Sequence, residues 1–139
     1  MISYNYETPF TLSSEKETTD WITNCIAQDG YTLGELCYIF CDDAYLHKIN
    51  MEFLQHDTLT DIISFDNTLG KCVGGDVFIS VERVAENATT FDTSFTNELH
   101  RVLIHGVLHY MGYKDKTAIE KEEMRSKEDA CLLLVADNQ

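Results

Sequence analysis

With 139 residues, 44% of them hydrophobic, the chain has enough apolar material for one compact domain with an ordinary core, and no disulfide framework or metal is needed merely to hold it. A formal charge of −14 argues against broad, non-specific capture of nucleic acid by a basic surface. The start has no basic region followed by an apolar run, so it reads as neither a signal peptide nor a membrane span; five cysteines without a C-x-x-C pair read as free thiols in a reducing cytoplasm.

Residues 1–7 alternate apolar and polar side chains and read as a strand. Ser13 or Ser14, with Glu17 three residues past Ser14, forms a capping box for a helix to about Gln28, where Asp29-Gly30 stops it. Residues 35–41 carry apolar side chains on both faces (Leu36, Tyr38 and Phe40 against Cys37, Ile39 and Cys41), which predicts a strand inside a sheet, covered on both sides. Asp42 and Asp43 cap a second helix whose apolar members are Ala44, Leu46, Ile49 and Phe53.

Residues 60–65 and 76–80 predict two short strands joined by a turn-rich stretch holding Gly70, Gly74 and Gly75. Ser80 opens a short helix to about Ala88. Thr93 or Ser94 begins a longer one that ends at Gly112, and a last helix runs from about Ala118 to Val135. The expected fold is therefore α+β: a single-layer, four-stranded mixed sheet packed with about five helices. It forms one domain over residues 1–139, with a metal site at the end of a central helix.

The metal site is read from His105-Gly106-Val107-Leu108-His109-Tyr110-Met111-Gly112-Tyr113-Lys114-Asp115. Helical positions four apart differ by ~40° in azimuth, so His105 and His109 stand one turn apart on one face, together with Glu98 and Arg101 or Val102. Leu103, Ile104, Val107, Leu108 and Met111 form the opposite, core-facing stripe. Gly112 suits a helix end with positive φ, and the reversal there can return Asp115 to the histidine pair. Two imidazoles and a carboxylate leave a fourth position open, as catalytic rather than structural zinc requires, so one zinc ion per chain is expected on His105, His109 and Asp115. The competing reading is two histidines satisfied by carbonyls or water, with Gly112 as an ordinary helix stop. The spacing also copies the metal-binding stretch of metzincin proteases, except that Gly106 stands where those enzymes carry their glutamate base.

Three segments together resemble the YbeY family, bacterial metal-dependent endoribonucleases of ribosomal RNA maturation. Asn50-x-x-Phe53 followed by Thr60-Asp61-Ile62-Ile63-Ser64-Phe65 is similar to the family's N-x-x-[YF]-R and T-D-V-L-S-F. Gly75-Asp76-Val77-Phe78-Ile79-Ser80 resembles G-D-I-x-I-S, and the His105 to Tyr113 stretch resembles H-G-x-L-H-L-x-G-Y-D-H. The resemblance implies hydrolysis of single-stranded regions of small-subunit ribosomal RNA by a zinc-activated water, with His105 catalytic as well as ligating. It implies ribosomal RNA and ribosomal proteins as partners and a cytoplasmic location, and it implies neither membrane attachment nor DNA specificity. Two positions depart from the pattern. Asp115 replaces the third histidine, after Lys114 in place of aspartate, and Leu54 replaces an arginine that supports catalysis.

Another cation would then have to meet the phosphate, and Arg101, Lys114 and Lys116 are candidates by nearness in sequence, with a plain helix-surface role open for Arg101. Asp61 and Asp76 either orient the cleft or cap turns. Tyr110 and Tyr113 either stack on bases or pack in the core. Two other functions stay open: a non-catalytic ribosome-assembly factor with a structural metal, and a metalloprotease with Glu98 as its base.

Overall fold

Alternation along one strand sorts this molecule into layers. In the computed structural model, which describes residues 1–54 and 60–138, the elements run β1 (Ile2–Tyr6), α1 (Glu15–Gln28), β2 (Thr32–Cys41), α2 (Asp43–Leu54), β3 (Ile62–Asp66), β4 (Cys72–Ser80), α3 (Val81–Thr90), α4 (Phe95–Tyr110) and α5 (Ala118–Asn138). The strand order is β1-β2-β4-β3, with β1, β2 and β4 parallel and β3 antiparallel to β4. This is the mixed four-stranded sheet with five helices expected from the sequence, and β2 is indeed an interior strand.

The two faces of β2 are covered unequally. Leu36, Tyr38 and Phe40 join one large core with Trp21, Ile22 and Ile26 of α1, Val84 of α3, seven residues of α4 from Leu99 to Tyr110, and Met124 and Cys131 of α5. On the other face α2 covers only one end, where Leu46 packs with Cys41 and Ile63, while Cys37 and Ile39 stay half-buried. The expectation of full cover on both sides therefore fails over most of the strand, because one short helix cannot span a four-stranded sheet. Phe53, expected on the buried stripe of α2, is exposed, with its ring edge-on to that of Phe65.

Local chemistry explains the helix starts. Ser14, Ser80 and Ser94 each accept a hydrogen bond from the backbone N–H three residues on, and Asp42 does the same for Tyr45. Ser94 rather than Thr93 thus begins α4. Leu103, Ile104, Val107 and Leu108 are fully buried, and each is worth roughly 1.5–3 kcal/mol against the sheet. Tyr38 adds an O–H donated to the carbonyl of Leu103 at 2.8 Å. These contacts fix the rotation of α4, and with it the direction in which the histidine face points.

Strands β2 and β4 begin earlier than the sequence suggests, because the glycine-rich stretch before Asp76 is partly strand. Thr32 and Leu33 pair with Cys72 and Val73, and an irregularity follows before Leu36 pairs with Gly75. At Gly75 φ is +147°, and an added Cβ would collide with the Phe65 carbonyl and lie 2.9 Å from the Tyr110 ring. Tyr110 occupies that space because its hydroxyl lies within hydrogen-bonding distance of the carbonyls of Phe65 (3.1 Å) and Asp76 (2.9 Å), tying α4 to both strands. Gly75→Ala should therefore destabilise the protein by about 2–4 kcal/mol, read as a lower denaturation midpoint. A midpoint equal to that of the parent chain would show that the bulge relaxes freely.

Among the described residues, no helix is long and apolar enough to cross a membrane. The five cysteines are free thiols, with Cys25, Cys41 and Cys131 buried.

Candidate metal centre

The last two turns of α4 and the loop after it create a cluster of three donor atoms. His105 Nε2 and His109 Nε2 lie 3.0 Å apart, and Asp115 Oδ2 lies 3.3 Å from the first and 3.4 Å from the second. Gly112, at φ +96°, turns the chain back, with its N–H donating to the His109 carbonyl and that of Tyr113 to Leu108. The loop is anchored on both sides. Tyr31 donates to the Met111 carbonyl at 3.0 Å, and Tyr113 donates to Asp29 at 2.6 Å. Asp29 also pairs with Lys127 of α5 at 2.7 Å. Burial opposes ionisation of Asp29, but the Lys127 and Tyr113 hydrogen bonds outweigh it and hold its carboxyl below the usual range.

The donor set fits a metal ion. A tetrahedral zinc with bonds of ~2.0–2.1 Å spaces its donors by ~3.3–3.4 Å, close to the three separations seen. Among the described residues, His105, His109 and Asp115 form the group of His, Cys, Asp or Glu side chains whose donor atoms could meet at one ion. Their side chains are 23%, 32% and 39% exposed, so the cluster is open to solvent rather than shut in a closed structural cage.

A fourth side chain completes the arrangement, and sequence reading missed it. Glu128 of α5, only 5% exposed, places Oε2 at 2.6 Å from Nδ1 of His105. A carboxylate there keeps the imidazole proton on Nδ1 and leaves the Nε2 lone pair free for a metal. Burial disfavours the imidazolium of His105, but the Glu128 hydrogen bond and the surrounding carboxylates prevail and raise its pKa above the ordinary value. A signal for Glu128 did exist: Met124, Glu128 and Cys131 share the buried stripe of α5, so an acid stands where apolar residues belong.

Arg101 explains how that acid is tolerated. Its two terminal nitrogens donate to Glu128 at 2.8 Å and Asp129 at 2.7 Å. Arg101 is thus neither a loose surface cation nor a free phosphate ligand; it locks Glu128 in place. Lys114 is exposed and lines a groove with Asp29, Glu120 and Glu123, on acidic ground.

Beside His105 a cavity of about 260 Å³ is lined by Asp61, Ile62, Glu98, Arg101, Val102, Arg125 and Glu128. Asp61 therefore faces the cleft, whereas Asp76 lines a separate groove with Ser3, Glu35 and Cys37. Burial pushes the carboxyls of Asp61 and Glu98 above their usual range. Gly106 is turned toward the sheet, where a Cβ would lie 3.1 Å from Ile62 and 3.2 Å from Val77. The position that carries the base in metzincins has no room here for a glutamate. Tyr110 and Tyr113 bond to the protein itself, in support of the packing role for each.

The chain is similar to known proteins over nearly all of its length. The family model described as Endoribonuclease YbeY matches residues 3–135. A protein named Endoribonuclease YbeY from Flavobacterium johnsoniae is 60% identical over 129 residues, 93% of each chain. One of the same name from Christiangramia forsetii is 53% identical over 133 residues, 96% of this chain and 93% of its own. The solution structure of TM1509 from Thermotoga maritima matches the fold with a TM-score of 0.67 at 23% identity, covering 97% of this chain and 89% of that one.

Proposed function

The chain belongs to the endoribonuclease YbeY family, and from that premise we propose that it is a single-domain, zinc-dependent endoribonuclease that cuts single-stranded regions of small-subunit ribosomal RNA late in ribosome maturation. The observation that carries the reading is the convergence of His105, His109 and Asp115 within metal-binding distance, with all three side chains partly open to solvent. His105, His109 and Asp115 would hold the ion. When bound there, zinc supplies a Lewis acid that lowers the pKa of a water towards ~7 and polarises a phosphoryl oxygen.

The chain's own residues do the rest. Glu128 fixes the tautomer and ring plane of His105, and Arg101 fixes Glu128. His105 is the proposed catalytic residue because its ring borders both the donor cluster and the cavity. Asp115 brings a negative charge that a third histidine would not, so the centre is less electrophilic than an all-imidazole one. The acidic composition favours delivery to ribosomal RNA by ribosomal proteins in the cytoplasm over free electrostatic capture.

The half-exposed donors and the open cleft weigh against a structural metal in a non-catalytic assembly factor, and the packing at Gly106 weighs against a protease. The test is cleavage by the zinc-loaded protein of a small-subunit ribosomal RNA precursor, a duplex RNA and a single-stranded DNA of matched sequence. Cutting confined to the single-stranded parts of the precursor is expected. Absence of cutting while ribosome assembly still depends on the protein would favour the assembly factor.

A further inference from the structure

On the ribonuclease reading, we infer that Arg125 is the side chain that holds a substrate phosphate in the cavity beside His105. Two arginines line that cavity. Arg101 has both terminal nitrogens engaged by Glu128 and Asp129. Arg125, three residues before Glu128 on α5, is exposed and makes no hydrogen bond or ion pair with any described residue. Its guanidinium is thus a cation at the cleft wall with its donors open, next to the ring that meets the metal.

The chemistry of the ligand follows from that placement. A guanidinium offers a planar fork of N–H donors that matches two phosphate oxygens, and it is more weakly hydrated than an ammonium, so it suits a phosphodiester at a protein wall. Local binding is required here because the net charge of −14 provides no long-range attraction to RNA. Asp61 and Glu98 share the cavity, so an anion entering it needs a cation close by. Leu54 at the end of α2, where the family pattern has arginine, is apolar and cannot supply one, whereas Arg125 of α5 lines the cavity itself.

The rival role for Arg125 is to balance the buried carboxylate of Glu98, which senses its charge without touching it. Binding of a fluorescein-labelled single-stranded oligoribonucleotide, followed by anisotropy with metal-free and zinc-loaded protein over a salt series, separates the two. Arg125→Ala should weaken binding about tenfold in both forms and lower the salt slope by about one, with an unchanged melting temperature. Arg125→Lys should recover part of the affinity, and Lys16→Ala on the far surface of α1 should bind as the parent does. Unchanged affinity and salt slope in Arg125→Ala, while the parent chain binds and cuts RNA, would overturn this role and leave the ribonuclease reading standing. So would a drop in melting temperature with no change in RNA affinity, which marks a counter-ion of Glu98. A parent chain that neither binds nor cuts single-stranded RNA would overturn both.

Discussion

His109→Ala should lose about a thousandfold in RNA cleavage while keeping its fold. The size follows from the several kcal/mol of transition-state stabilisation that a catalytic metal contributes, each ~1.4 kcal/mol being a factor of ten. The fold should survive because His109 is a third exposed and the core stripe of α4 lies on the other side of the helix. Without His109, His105 and Asp115 remain as two donors 3.3 Å apart, too few to hold zinc firmly. Asp115→His is the informative companion: it restores a third imidazole, and metal should stay bound, whereas Asp115→Ala should lose it. Cleavage by His109→Ala at the rate of the parent, measured on the same RNA, would remove the donor cluster from the chemistry.

Glu128→Gln should weaken zinc binding by about 10- to 100-fold, the usual penalty for removing the outer partner of a ligating histidine. The amide keeps the shape but loses the charge that makes His105 a stronger donor. A second readout belongs to this role alone. In metal-free protein, the pKa of His105 is raised by Glu128, so it should fall in the variant when followed by NMR. Glu128→Ala is a harsher change, because Arg101, with a side chain only 15% exposed, loses its buried partner; about 3–5 kcal/mol of stability should go with it. Zinc affinity in Glu128→Gln equal to that of the parent, by chelator competition, would reduce Glu128 to a packing residue.

The elements were readable wherever one physical signal dominated. Serine caps marked the starts of α1, α3 and α4, and the 3.6-residue period of Leu103, Ile104, Val107 and Leu108 fixed which side of α4 faces the sheet. The three donors could be read because two lie on one helix and the third follows a turn that needs glycine. What escaped was long-range. Glu128 is 23 residues from His105 and comes into contact only through the packing of α5 on α4. Arg101 looked available for phosphate because its partners, Glu128 and Asp129, lie 27 and 28 residues away. Gly74 and Gly75 read as turn residues, since composition cannot distinguish a turn from a strand that needs glycine to pass under Tyr110. The uneven cover of β2 was equally hidden, because an apolar side chain does not say how much helix will lie over it.

Elemental analysis of protein purified without chelator reads out whether His105, His109 and Asp115 hold one metal ion. About one zinc per chain is expected, with His105→Ala and Asp115→Ala both nearly empty although folded. The same metal content in the parent and in both variants would contradict the ligand set.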